Sequence, residues 1–229
     1  MIDFDPFPGD VPGDLPPSPP DSGIDVPAHL DVLPDGRETL VIGDVAGLAE
    51  LAHRQGEVPE FQGTCGICSC EGVLRRFGVE VSERDLVEHA VTNGLCEVTG
   101  NPDTSGATTM EGQARILGDF GVPAHVEYGH SLEDLAANVE HGRGIIIAAN
   151  AGELWQDPDS WEGGRPNHAV TVTGVARDPS DGSVEGFFVN DSGTGEAGKF
   201  VDAATMEAAW LQAGGRSVVT DVTSPVGPR

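Results

Sequence analysis

The chain changes texture once, near residue 144, and that change restricts the folds open to it more than any other feature. Ahead of it, polar capping residues recur in front of apolar, helix-periodic segments. Ser82 and Asp85 open "SERDLVEHAVTNG", Thr108 and Glu111 open "TTMEGQARILGDFG", and Ser131 and Asp134 open "SLEDLAANVEHG". Each pair has the spacing at which a hydroxyl and a carboxylate exchange hydrogen bonds with backbone N–H groups at a helix start. Two more helices are expected, over 44–56 with Asp44 as cap and Gly56 as stop, and over 68–77 ending at Gly78. Beyond the change, 144–151 is a continuous apolar run of strand length, 168–176 alternates with β-branched residues, and 186–190 and 216–222 are strand-like. The turn-rich 178–183 predicts a hairpin between the middle two, and 202–215 reads as one more helix. A helical N-terminal half packed on a mostly antiparallel β-sheet half is an α+β layout.

Residues 1–36 carry most of the Pro/Asp/Gly bias and little apolar periodicity. They are expected to form a disordered arm or linker, with one folded domain over 37–229. The formal net charge is −26, with 12 Lys+Arg against 38 Asp+Glu. Such a surface repels nucleic-acid phosphates and anionic membranes, so neither is an expected partner. No apolar run approaches the roughly 18 residues of a membrane span. The N-terminus lacks the basic and apolar regions of a secretory signal. The chain is expected to stay in the cytoplasm, to leave by a non-classical route, or to be part of a longer exported protein.

Three of the four cysteines fall in "FQGTCGICSCEG", at Cys65, Cys68 and Cys70. Structural zinc commonly takes four N/S ligands in two pairs. No second C-x-x-C or H-x-x-H pair accompanies these, so a fourth ligand would have to be Cys96 or a distant histidine. A thioredoxin-like pair wants a βαβ context that the helical surroundings do not supply. A cluster of small buried cysteines stays open. So does a nucleophile, which needs a helix N-terminus or imidazolium to favour its thiolate, a donor for the oxyanion, a base, and a group to orient the base. Cys68 stands at the expected helix start. Gln62 lies ahead of it with an amide able to donate.

These residues carry a resemblance. "QGTCGIC" resembles the glutamine-to-nucleophile stretch of the papain-like cysteine peptidases, in which the second cysteine is the nucleophile. "NHAVTVTGV" is similar to their histidine strand, and "FFVNDSGTG" to the segment carrying the third catalytic residue. The resemblance covers about residues 60–220 and implies the papain-like fold. It makes Cys68 the nucleophile, Gln62 the oxyanion donor and His168 the base. The third role falls to Asp191, as in compact bacterial relatives, or to the adjacent Asn190, whose spacing fits papain. The match to the plant and lysosomal signature fails at Ile67 and Ser69, and Ser192 stands where papain has tryptophan. The chain therefore resembles the compact bacterial group that includes the leader-peptidase domain of bacteriocin exporters. The resemblance implies hydrolysis of a peptide or amide carbonyl in a peptide or protein substrate, with no metal or cofactor. Deamidation or acyl transfer at the same site, or a binding module that has lost catalysis, are the alternatives. It also makes Cys96 a conceivable disulfide partner for Cys65. Trp155 and Trp161, in the loop before His168, either pack under that loop or line a substrate groove.

Overall fold

The computed structural model describes residues 26–224. Its strands are β1 (Ala28–Val32), β2 (Glu38–Ile42), β3 (Ala124–Tyr128), β4 (Arg143–Ala149), β5 (His168–Arg177), β6 (Val184–Asp191), β7 (Glu196–Asp202) and β8 (Arg216–Thr223). Its α-helices are α1 (Val45–Ala49), α2 (Cys65–Arg76), α3 (Glu83–Asn93), α4 (Met110–Asp119), α5 (Leu132–Glu140), α6 (Ala151–Trp155) and α7 (Ala203–Met206). The expected α+β division holds.

The eight strands form one antiparallel sheet with β5 at its centre. One edge of β5 pairs with β4 over its first half and with β2 over its second, while the other edge pairs with β6. Helices cover both faces. Ile145 and Ile147 of β4 face a core that includes α5, Phe187, Met206 and Trp210. Ile146 faces the opposite core, built from α2, α3 and α4. Burial on both faces explains why 144–149 is apolar at every position instead of alternating. Gly144 lets α2 approach β4 closely: a Cβ there would lie 2.8 Å from Val73 Cγ1 of α2.

Ser82 and Ser131 make the expected capping boxes with Asp85 and Asp134. Other expectations need correction. Helix α4 is capped by Thr109, whose side chain accepts from the Gly112 N–H; Thr108 instead accepts from the Gln113 amide. Helix α1 ends at Ala49, well short of Gly56. The 202–215 segment is α7 followed by a π-helical turn, Glu207–Leu211. Part of the expected arm is ordered, because Ala28–Val32 pairs with β2; residues 1–25 lie outside the described residues.

The correction with most consequence is at α2, which begins at Cys65 and not at Cys68. The N–H groups of Gln62 and Gly63 bond to the carbonyls of Pro102 and Ser105. They hold the chain against the 101–106 loop until Thr64, whose carbonyl then accepts the first helical bond from the Cys68 N–H. Cys65 is thus the first residue of the helix, and Cys68 lies inside it. Among the described residues no helix is long and apolar enough to cross a membrane.

Candidate active site

His168 opens β5 opposite Ala149, the last residue of β4. Asp191 closes β6, one residue beyond the Thr171–Asn190 pair. Adjacent strand residues face opposite ways, so only one of Asn190 and Asp191 can reach His168. That residue is Asp191: His168 Nε2 lies 2.8 Å from its Oδ1. Asn190 points the other way, donating to the Leu48 carbonyl and accepting from the Gly198 N–H.

Asp191 is buried and surrounded by donors. Trp155 Nε1 donates to Oδ2 at 2.7 Å, and the Gly193 and Thr194 N–H groups donate to Oδ1. Burial pushes its pKa up, but these bonds and the His168 charge outweigh burial and hold the carboxyl below its usual range. The indole of Trp155 also packs on the imidazole, with ring centroids 4.9 Å apart. It reaches the site because α6 starts immediately after β4, beside the start of β5. Nothing local in the sequence pairs Trp155 with Asp191, though an indole is absent from the place where papain carries one. Gly193 closes the arrangement, since a Cβ there would lie 3.0 Å from His168 Cε1 and 3.1 Å from Trp155 Cζ2.

The cysteine beside His168 is Cys65. With Nε2 bonded to Asp191, Nδ1 is the ring nitrogen left to meet the thiol. Burial raises the Cys65 pKa, but hydrogen bonding to His168, its positive charge, and the N–H groups of Ala169 and Gly66 reverse the effect and leave it lowered. Burial pulls His168 the other way, yet Asp191 and Cys65 raise its pKa to about 10. Both shifts favour a thiolate–imidazolium pair.

The expected pairing of Cys68 with His168 is not made. Cys68 is buried one turn along α2, with Thr64 Oγ1 4.0 Å from its sulfur. Burial and the charges of Glu83 and Glu71 push its pKa far up, which disfavours the thiolate a nucleophile requires. Cys70 is a core residue, and all four cysteines are free thiols, so Cys65 and Cys96 are not bridged. The Gln62 amide donates to the Val58 carbonyl at 3.1 Å, which leaves one of its two hydrogens uncommitted.

Glu83, fully buried, organises the approach to α2. Its carboxylate accepts from Thr64 Oγ1 at 2.5 Å and from the N–H groups of Gly56 and Glu57, and bonds His53 Nε2 at 2.8 Å. Burial raises its pKa, and these bonds, with Thr64 first, bring it below the usual value. Thr64 consequently makes no side-chain cap, and the Cys65 N–H stays open at the positive end of the helix, next to the Gly66 N–H that serves the Cys65 sulfur. Glu83→Ala, which strands these donors, is expected to cost on the order of 3 kcal/mol, read by urea unfolding.

A family model, the Peptidase_C39 like family, matches residues 44–218. The chain belongs to the Peptidase_C39-like family. Membership makes it a papain-like cysteine peptidase, the class its motifs resemble, and implies a peptide substrate. The crystal structure of a protein assigned as a C39-like peptidase from Bacillus anthracis is similar, with a TM-score of 0.53 at 20% identity over 77% of this chain and 97% of that one. A double glycine motif protease from an AMS/PCAT transporter, crystallised with its leader peptide, aligns with a TM-score of 0.48 at 16% identity, over 75% of this chain and 91% of that one. No curated protein sequence matches the chain.

Proposed function

We propose that this C39-like chain hydrolyses peptide bonds with Cys65 as nucleophile, His168 as general acid–base and Asp191 as the residue that orients and charges His168. The observation that carries the reading is the contact series Cys65, His168, Asp191 at the N-terminus of α2. The thiolate of Cys65 attacks the carbonyl carbon, forming a C–S bond while the carbonyl electron pair moves to oxygen. The Cys65 N–H, open at the helix start, is the backbone donor we assign to that oxyanion. The uncommitted amide hydrogen of Gln62 is the side-chain donor we assign beside it. The imidazolium of His168 protonates the leaving amine as the C–N bond breaks, leaving a thioester. His168 then takes a proton from water, hydroxide adds to the thioester, and the acid is released with the thiolate restored. Asp191 supports this cycle by stabilising the imidazolium, with its own charge fixed by Trp155 and two backbone N–H groups.

Two measurements test the reading. Incubation with a proteome-derived peptide library is expected to yield new N-termini. Peptides of unchanged length, with glutamine or asparagine converted to its acid, would instead make the chain a deamidase. The pH dependence of kcat/KM on a cleaved peptide is the second. The active form needs Cys65 deprotonated and His168 protonated. Activity should therefore rise below the ordinary thiol range of about 8.5 and fall as pH approaches about 10. The two limbs belong to the coupled pair, not to either residue alone. A rate that rises only above the ordinary thiol pKa would contradict it.

A further inference from the structure

One turn along α2 from Cys65, three side chains that the proposed mechanism does not use converge. His53 comes from the irregular segment after α1, and Cys68 and Glu71 lie three apart on one face of α2. An imidazole nitrogen, the thiol sulfur and a carboxylate oxygen lie within 4.8 Å of one another.

Three observations bear on what the cluster holds. Glu71 is 4% exposed, yet its Oε2 has no hydrogen-bond partner among the described residues. Its other oxygen reaches only Arg75, at 3.6 Å, too far for a hydrogen bond. A half-satisfied buried carboxylate is costly, and such an atom calls for a partner. His53 presents Nε2 to Glu83 at 2.8 Å, leaving Nδ1 free to ligate. A carboxylate on the far nitrogen is the usual support of a metal-binding histidine. Finally, a cavity of about 10 Å³ lined by His53, Cys68, Ser69, Thr171 and Ser192 adjoins the cluster, room for one water-sized body.

We propose that His53, Cys68 and Glu71 form a zinc site. Thiolate and imidazole together select a borderline-soft cation over Mg²⁺ or Ca²⁺. Zinc bond lengths of roughly 2.0–2.3 Å place tetrahedral ligand atoms about 3.5 Å apart, so closure of about 1 Å completes the set. Water in the adjoining cavity supplies the fourth ligand. Cys68 binds as thiolate and releases its proton to solvent. The ion ties the 52–57 segment to α2 beside the start of the nucleophile helix. The site shares no residue with Cys65, His168 and Asp191, so it stands or falls independently of the peptidase mechanism.

Cobalt titration of the full metal-free chain tests it. One equivalent of Co²⁺ is expected to produce thiolate-to-cobalt charge-transfer absorption and the visible bands of tetrahedral Co²⁺, and Zn²⁺ should abolish both. Cys68→Ser is expected to remove the charge-transfer band. Glu71→Gln should weaken Co²⁺ binding at least tenfold while its metal-free circular dichroism matches wild type, and Cys65→Ser should keep the full spectrum. No charge transfer at stoichiometric Co²⁺ would overturn the proposal. A band that survives Cys68→Ser and vanishes in Cys65→Ser would also overturn it, placing the ion on the Cys65–His168 pair.

Discussion

Cys65→Ser is expected to lower hydrolysis of any peptide the wild type cleaves by at least about 10³-fold, with Cys96→Ser retaining the wild-type rate. The serine hydroxyl fits the space but does not ionise beside an imidazole. It loses the lowered pKa that His168 and the Ala169 and Gly66 N–H groups give the Cys65 thiol. Cys96 serves as the control because it sits in an isolated β-bridge with Thr108, packs on the α2–α4 core, and neither a hydrogen bond nor the charge of His168 acts on its thiol. Measured kcat/KM for the two variants decides the matter. Full activity in Cys65→Ser would return the nucleophile to another residue.

Asp191→Asn is expected to reduce kcat/KM by about 10²–10⁴-fold and to move the alkaline limb of the pH profile downward. Burial alone lowers the His168 pKa, and Asp191 is the first of the groups that raise it. A neutral amide cannot sustain that charge. Asparagine also has a single oxygen, while the carboxylate takes donors on both: His168, Gly193 and Thr194 on Oδ1, and Trp155 on Oδ2. One side therefore turns an NH₂ toward a donor, at a cost of about 1–3 kcal/mol in urea unfolding. Asn190→Ala loses bonds to Leu48 and Gly198 instead. It should lower stability and leave both limbs of the pH profile in place. Unmoved limbs in Asp191→Asn would remove Asp191 from the assigned role.

The helix-to-strand division was legible because helix caps and strand patterns are local signals. Ser82 and Ser131 cap where their spacing predicts, and the unbroken apolar run of β4 reflects helices on both faces of the sheet. The strand that His168 opens was also legible, since its β-branched pattern is strong. Which cysteine stands beside His168 was not, because a C-x-x-C offers two thiols and only the helix start separates them. That start depends on bonds from Gln62 and Gly63 to residues some forty positions later in the chain, at Pro102 and Ser105. One local signal pointed the right way: Thr64, a residue type favoured at N-caps, immediately precedes Cys65. Strand β1 is exposed along its whole length and shows no buried face to betray it. The Trp155–Asp191 bond joins residues that meet only when β4, β5 and β6 align.

The most direct test of the account is the rate of iodoacetamide alkylation at each cysteine across pH, read by peptide mass spectrometry in the wild type and in His168→Ala. The account predicts that Cys65 alkylates fastest, stays reactive below the ordinary thiol pKa of about 8.5, and loses that advantage when His168 is removed. Cys65 reacting no faster than Cys96, or Cys68 reacting first, would contradict it.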